Sequence, residues 1–354
     1  MRRLLSLLLV CAFAALPCAA LADRVVTLTM TGDITLGGEE RVRTASFSFD
    51  TYYNQYGASY FLEKVRGLFE EDDITLINLE GTLTDSPAQE DTTKTYRFRG
   101  PTAMVQALTS SSVEVANLAN NHTMDFGNQG YQSTMDTLAA YGIGYVAGGV
   151  SYVHQVDRVV SIGFVTIDGY QFEANRQWVV ERIRQMKDEG VNAVVFVAHY
   201  GTEYAKNHSE VQENVSNFAI DAGADLVVMH HPHVVQGIEI KNNRYILYSL
   251  GNFCFGGNAR IRAIETVIAR VKLTFDNDGA YLGQQLYLYP CHTSGTYSGI
   301  STNDKLPDNN YQPVLVTGDA AQNVMNLIQA DTRFRLNPYD EEKGYAEQEF
   351  LWAE

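Results

Sequence analysis

Seven polar side chains follow apolar runs at points where a charge or an imidazole has no ordinary packing role. Asp33 comes just after the run 25–31, and Glu80 ends 74–79. Asn121 and His122 sit in Ala119-Asn-Asn-His-Thr-Met-Asp125. His199 closes 193–198, and His231 and His233 stand in His230-His-Pro-His233 after 225–229. Neutral imidazole suits zinc, iron and copper, and added carboxylates favour manganese. Asp33, Glu80, Asn121, His199, His231 and His233 are therefore candidate metal ligands, with Glu80 able to bridge two cations. His122 is a candidate proton donor to a leaving group. Residues two apart in an extended segment point the same way, so His231 and His233 are expected to share a pocket while His230 faces elsewhere. Glu203, in His199-Tyr-Gly-Thr-Glu203, is the second candidate catalytic residue and is expected to orient a ligand. Bland readings stand beside these: a turn aspartate at 33, a helix-start carboxylate at 203, a capped turn over 119–125.

The elements that must position these residues are legible as alternation. Strand-like runs at 25–31, 74–79, 114–118, 158–167, 193–198 and 225–229 are separated by helix-like stretches at 59–71, 102–110, 129–141, 175–189 and 209–222. Continuous apolar runs such as 193–198 predict an α/β fold with a mostly parallel sheet covered on both faces. The carboxyl ends of such strands form the crevice where ligands bind, so the polar clusters are expected to converge. From 244 onward, 245–250, 263–275 and 281–289 follow without a helix and predict an antiparallel set. A late helix is expected over 319–329. No composition break divides 23–354, which is read as one domain with a core over 25–290 and an extension over 291–354.

Composition bounds the function. Arg2 and Arg3, the apolar run 4–16, Pro17 and Ala20-Leu-Ala22 predict an export signal cleaved after Ala22, with an uncleaved membrane anchor as the alternative. A formal charge of −16 excludes nucleic acid as a partner, because that affinity rests on neutralising phosphates. Past residue 22 the cysteines are Cys254 and Cys291, and an exported chain predicts a disulfide between them, with two buried thiols as the alternative. Arg97 and Arg99, in Tyr96-Arg-Phe-Arg-Gly-Pro101, are candidate substrate-binding residues for a carboxylate or phosphate; the alternative is an exposed edge strand.

Taken together and in order, these segments resemble the CapA family, associated with poly-γ-glutamate capsule synthesis and a branch of the calcineurin-like metallophosphatase superfamily. The carrying segments are Gly32-Asp-Ile34, Asn78-Leu-Glu-Gly81, Phe98-Arg-Gly-Pro101, Ala119 to Gly127, His199 to Glu203, Asp221 to Asp225, His230-His-Pro-His-Val234 and Tyr248-Ser-Leu-Gly-Asn-Phe253, with an echo at Gln312-Pro313. The resemblance implies a four-layer α/β/β/α sandwich. It also implies one or two divalent ions (Mn, Zn or Fe), held by the ligands named above, with His122 as the acid–base histidine. Two departures stand out: Thr35 occupies a position where the superfamily usually has histidine, and the bridging acid is Glu80 where an aspartate is usual. The implied activity is hydrolysis or transfer on an anionic cell-envelope polymer such as poly-γ-glutamate, or on a phosphoester, with membrane-bound capsule synthase subunits as possible partners. The rival is a non-catalytic, metal-containing polymer-binding or export component.

Overall fold

The structure is a computed structural model that describes residues 23–257, 262–296 and 309–353. Its logic is clearest in the strand Ala193–His199, which is apolar on both faces. Ala193, Val195 and Val197 pack into a core shared with Leu28, Met30, Leu76, Phe164 and Leu288. The alternate residues Val194, Phe196 and Ala198 pack instead beneath the helices Phe172–Asp188 and Glu210–Ala222. Leu226 and Val228 divide from Val227 and Met229 in the same way. A strand alternates its side chains with period two, so a run apolar at every position must be covered twice.

Two sheets supply that cover. One runs in the order Val314–Leu315, Tyr281–His292, Glu265–Phe275, Arg24–Thr35, Ile74–Leu79, Val115–Asn117, Gly144–Val146, with Asn252–Phe255 also paired to Arg24–Thr35 and Ala346–Trp352 to Tyr281–His292. The other runs Ile238–Lys241, Arg244–Leu247, Leu226–His230, Ala193–His199, Ser161–Asp168, Tyr152–Gln155. The outer face of the first sheet is closed by Phe49–Tyr56, Arg66–Glu70 and Gly127–Ala140 through Phe49, Phe69 and Leu138. The result is the expected α/β/β/α sandwich.

The single, mostly parallel sheet expected from alternation is thus two sheets: the first is parallel from Arg24–Thr35 to its edge at Gly144–Val146 and antiparallel on the other side, and the second is parallel at its centre and antiparallel at both edges. Local patterning reports that a strand is buried, not which sheet it joins. The helix expected over 59–71 is also different. Ser48 caps a helix at Phe49–Tyr56 by accepting from Thr51 N–H, and Gly57 ends it at φ 82°. Only a short 3-10 turn at Ala58–Tyr60 and a five-residue helix at Arg66–Glu70 follow. Phe49 stacks on Phe61 with ring centroids 4.0 Å apart, so these aromatics serve a packed corner rather than one helical face. The acidic, aromatic tail forms a strand, Ala346–Trp352, paired with Tyr281–His292.

Cys254 and Cys291 are free and buried, which corrects the expected disulfide. Sheet register gives the reason. Cys291 lies opposite Thr266 and Leu315, whereas the strand bearing Cys254 pairs with Arg24–Thr35. Each thiol faces a backbone carbonyl at 3.3 Å, of Tyr311 and Tyr289 respectively, and burial pushes both thiols far up. Both cysteines are expected to resist iodoacetamide in the folded chain. After unfolding without reductant, peptide mapping should find both alkylated; a linked 254–291 peptide would contradict the structure.

Asp331, just past the helix Gly318–Ala330, latches the C-terminal segment to the second sheet. Its carboxylate accepts from Gly237 N–H at 2.7 Å and from His208 Nδ1 at 2.8 Å. Burial works to lower the His208 pKa, but Asp331 and Glu213 raise it above its ordinary 6.5. A raised folded pKa stabilises fully below the unfolded value and is lost as pH rises through the folded one. The melting temperature of His208→Gln should therefore lie furthest below wild type at pH 6 or less. The gap should narrow as pH climbs past the raised value.

Candidate metal centre

The carboxyl ends of both sheets meet above the inner core, and the backbone is shaped there to aim side chains inward. The strand Arg24–Thr35 shifts register on both sides of Asp33. Such a bulge re-aims a side chain. Gly32 permits it: a Cβ there would lie 2.2 Å from the carbonyl oxygen of Gly251, which accepts from Asp33 N–H at 2.9 Å. His231 and His233 take left-handed backbone conformations, with φ of 100° and 59°. Non-glycine residues rarely do so, and such strain gathers at functional sites.

That conformation overturns the expectation that His230 faces away. With the segment curled rather than extended, His230 Nδ1 comes within 3.2 Å of Asp33 Oδ1, and His233 Nδ1 within 3.2 Å of Asp33 Oδ2. Two groups of donor atoms result. Asp33, Glu80 and His233 each offer an atom within 4.8 Å of the others. Beside them, His199 Nε2 lies 2.8 Å from Asn121 Oδ1 and 3.0 Å from His231 Nδ1. Glu80 Oε1 faces both groups, 3.7 Å from His199 Nε2 and 3.8 Å from His233 Nε2. All six expected ligands therefore come together. Thr35 spends its hydroxyl on the carbonyl of Glu80, at 2.8 Å, and so fixes the backbone of that acid.

The electrostatics show what the cluster lacks. Glu80 is fully buried, and neither of its carboxylate oxygens has a hydrogen bond; Asp33 Oδ2 has none either. Unpaired buried carboxylate oxygens cost several kcal/mol. Burial, reinforced by Asp33, drives the Glu80 pKa well up. Asp33 stays well below the carboxylate range although burial opposes it, because His230 and His233 favour its charged form. Burial pushes His199 well down and His231 down to about 4, leaving neutral imidazoles with lone pairs to give. His233 is raised, to about 9: burial opposes this, but Glu80 and Asp33 hold its proton. Neutral imidazoles and unsatisfied carboxylates are the donor set a divalent cation takes, replacing such a proton. The residues fit a metal.

Several supporting residues carried no role in the sequence reading. His233 Nδ1 lies 2.9 Å from Asn252 Oδ1, and His231 Nε2 lies 3.2 Å from the Tyr170 hydroxyl, so each ring is oriented through its second nitrogen. Asn78 donates to Asp33 Oδ1 at 2.8 Å and accepts from Asn117 at 2.8 Å. His122 Nδ1 donates to Asp125 Oδ2 at 2.6 Å, and Lys94 donates to Asp125 and to the Asn121 carbonyl. The His122-x-x-Asp125 spacing could have revealed that pair. Three expected roles are not met. Arg99 is buried against Glu40 and the Thr84 carbonyl, both at 2.7 Å, and Arg97 is paired with Glu90 at 2.9 Å. Neither forms an exposed anion cradle. Glu203 lies on the exposed rim of a small opening, about 30 Å³, over His122 and His233, and not against His199.

A sandwich of this topology with histidines, asparagine and carboxylates at its strand ends is a metallophosphatase-type protein. Residues 27–257 match the family described as bacterial capsule synthesis protein PGA_cap, and the chain belongs to that family. It is 28% identical to the PGA biosynthesis protein CapA of Bacillus subtilis over 66% of its own length and 64% of that protein's. Against the capsule biosynthesis protein CapA of Bacillus anthracis the figures are 29%, 65% and 60%. A probable polyglutamine synthesis accessory protein of Mycobacterium tuberculosis is 28% identical over 51% of this chain and 55% of its own. The chain thus spans a little over half to somewhat under two thirds of these relatives. Among the described residues no helix is long and apolar enough to cross a membrane.

Proposed function

We propose that the protein is a metal-dependent hydrolase or transferase acting on an anionic polymer of the poly-γ-glutamate type, or on a phosphoester, in capsule metabolism. The observation that carries this reading is His122. Its Nδ1 is tied to Asp125, its Nε2 lies 3.7 Å from Glu80 Oε1, and its side chain lines a small opening together with His233. A site built only to hold metal has no use for an oriented proton donor at its mouth. One or two divalent ions (Mn, Zn or Fe), held by Asp33, Glu80, Asn121, His199, His231 and His233, would polarise the scissile group and activate water. The chain's own residues do the rest. Asp125 holds the His122 ring with Nε2 towards the substrate side, and Lys94 ties Asp125 to the Asn121 backbone. His122 then passes its Nε2 proton to the departing oxygen or nitrogen. Residues 1–22 would act as the export signal, placing the chemistry outside the cytoplasm, near synthase subunits in the membrane.

The non-catalytic reading keeps one observation in its favour: Thr35 binds the Glu80 carbonyl instead of offering a ligand. Elemental analysis of protein purified without chelators, combined with a screen of phosphoesters and γ-glutamyl polymers, separates the two. Bound transition metal with turnover that chelation abolishes is expected. Metal without turnover on any substrate would favour a binding role.

A further inference from the structure

Tyr204 and Arg262 line the small opening over His122 and His233, and both also line a larger trough of about 460 Å³. Tyr204 takes a φ of 61° and donates its N–H to the Pro232 carbonyl at 2.8 Å, which brings its ring to 5.9 Å from that of His233. The Arg262 guanidinium lies over the Tyr204 ring, 5.0 Å from its centroid. The pair forms a saddle joining the metal centre to the trough. Lys206 stands exposed on the trough wall, and among the described residues neither it nor Arg262 makes an ion pair. The carboxylate of Glu265 on the same wall is engaged, accepting from Asn323 at 2.9 Å. Leu327 helps to form an apolar lining. A volume of this size suits a ligand larger than a single ion.

We infer that this trough is a binding subsite for a carboxylate-bearing segment of a chain substrate whose scissile group lies at the metal centre. The inference rests on the anionic-polymer reading above. Arg262 and Lys206 would take carboxylates, while the methylene stretches between them lie along the apolar lining. In a chain of net charge −16, Arg262 and Lys206, which outnumber the one carboxylate on the trough wall, supply the local attraction that the whole molecule denies a polyanion. Arg262, Asn323 and Leu327 fall outside the 27–257 family match. The family region supplies the centre and Lys206, and the later segments supply Arg262 and Leu327.

The test is fluorescence anisotropy of a labelled γ-glutamyl decamer, and of its neutral γ-glutaminyl counterpart, titrated with the full purified chain. Wild type should bind the acidic decamer and not the neutral one. Lys206→Glu and Arg262→Glu should each raise Kd about tenfold, as loss of a charge-assisted contact does. Leu327→Trp, which fills the trough without changing charge, should weaken binding as well. Melting temperatures near wild type would confirm folding of each variant. Tight binding unchanged in all three variants would overturn the subsite while leaving the polymer reading intact. No binding by wild type would overturn the polymer reading, and the subsite with it.

Discussion

Replacing His122 with alanine is expected to lower kcat by about 10²–10⁴-fold, the range for removing a positioned general acid, while leaving metal content near wild type. The geometry sets the selectivity of that loss. Nε2 is the ring atom on the Glu80 side, and Nδ1 is committed to Asp125, so the ring has one proton to give and one direction in which to give it. A substrate with a good leaving group, such as a nitrophenyl phosphoester, needs little protonation and should lose least. An alkyl phosphoester or γ-glutamyl amide should lose most. A purely structural His122 would reduce all of them equally. Equal loss across leaving groups, or lost metal, would refute the proton-donor role. Asp125→Asn should follow the same ordering with smaller losses, since it leaves Nε2 in place but weakens its orientation.

How much of this was legible in the sequence depended on whether the signal was local. Asp33, Glu80, Asn121, His199, His231 and His233 could be chosen because each follows an apolar run, and strand ends in an α/β sheet converge wherever the strands are placed. The helix Glu210–Ala222 was legible for the same reason, with Ser209 and Gln212 forming a capping box and Gly223 stopping the helix at φ 113°. What could not be read required knowing which strand lies beside which. The division into two sheets, the separation of Cys254 from Cys291 and the latch from His208 to Asp331 all join distant positions. His230 failed for a subtler reason. The two-residue periodicity used to turn it outward assumes extended backbone, and left-handed conformations at 231 and 233 break that assumption. Arg99 misled because an arginine built to bind an anion and one buried against Glu40 look alike in sequence.

Glu80→Gln offers the other large effect, and its sign should reverse with metal. The substitution keeps shape and removes the charge, so the glutamine loses the carboxylate that faces both donor groups. Cation affinity should fall by about 10²-fold or more, worth about 2.7 kcal/mol of metal-linked stability. Wild-type protein titrated with zinc or manganese should thus gain melting temperature that the variant does not. With chelator present the order should change. Metal-free wild type buries two carboxylate oxygens without hydrogen bonds, and glutamine removes the cost of burying that charge, of which the Asp33 repulsion is the lesser part. The chelated variant is accordingly expected to melt at or above chelated wild type. A variant that melts lower in both conditions would mean that Glu80 serves the fold through contacts of its own rather than by holding a cation. The crossing of the two stabilities is specific to a carboxylate whose burial a metal offsets more fully than the neighbouring His233 does.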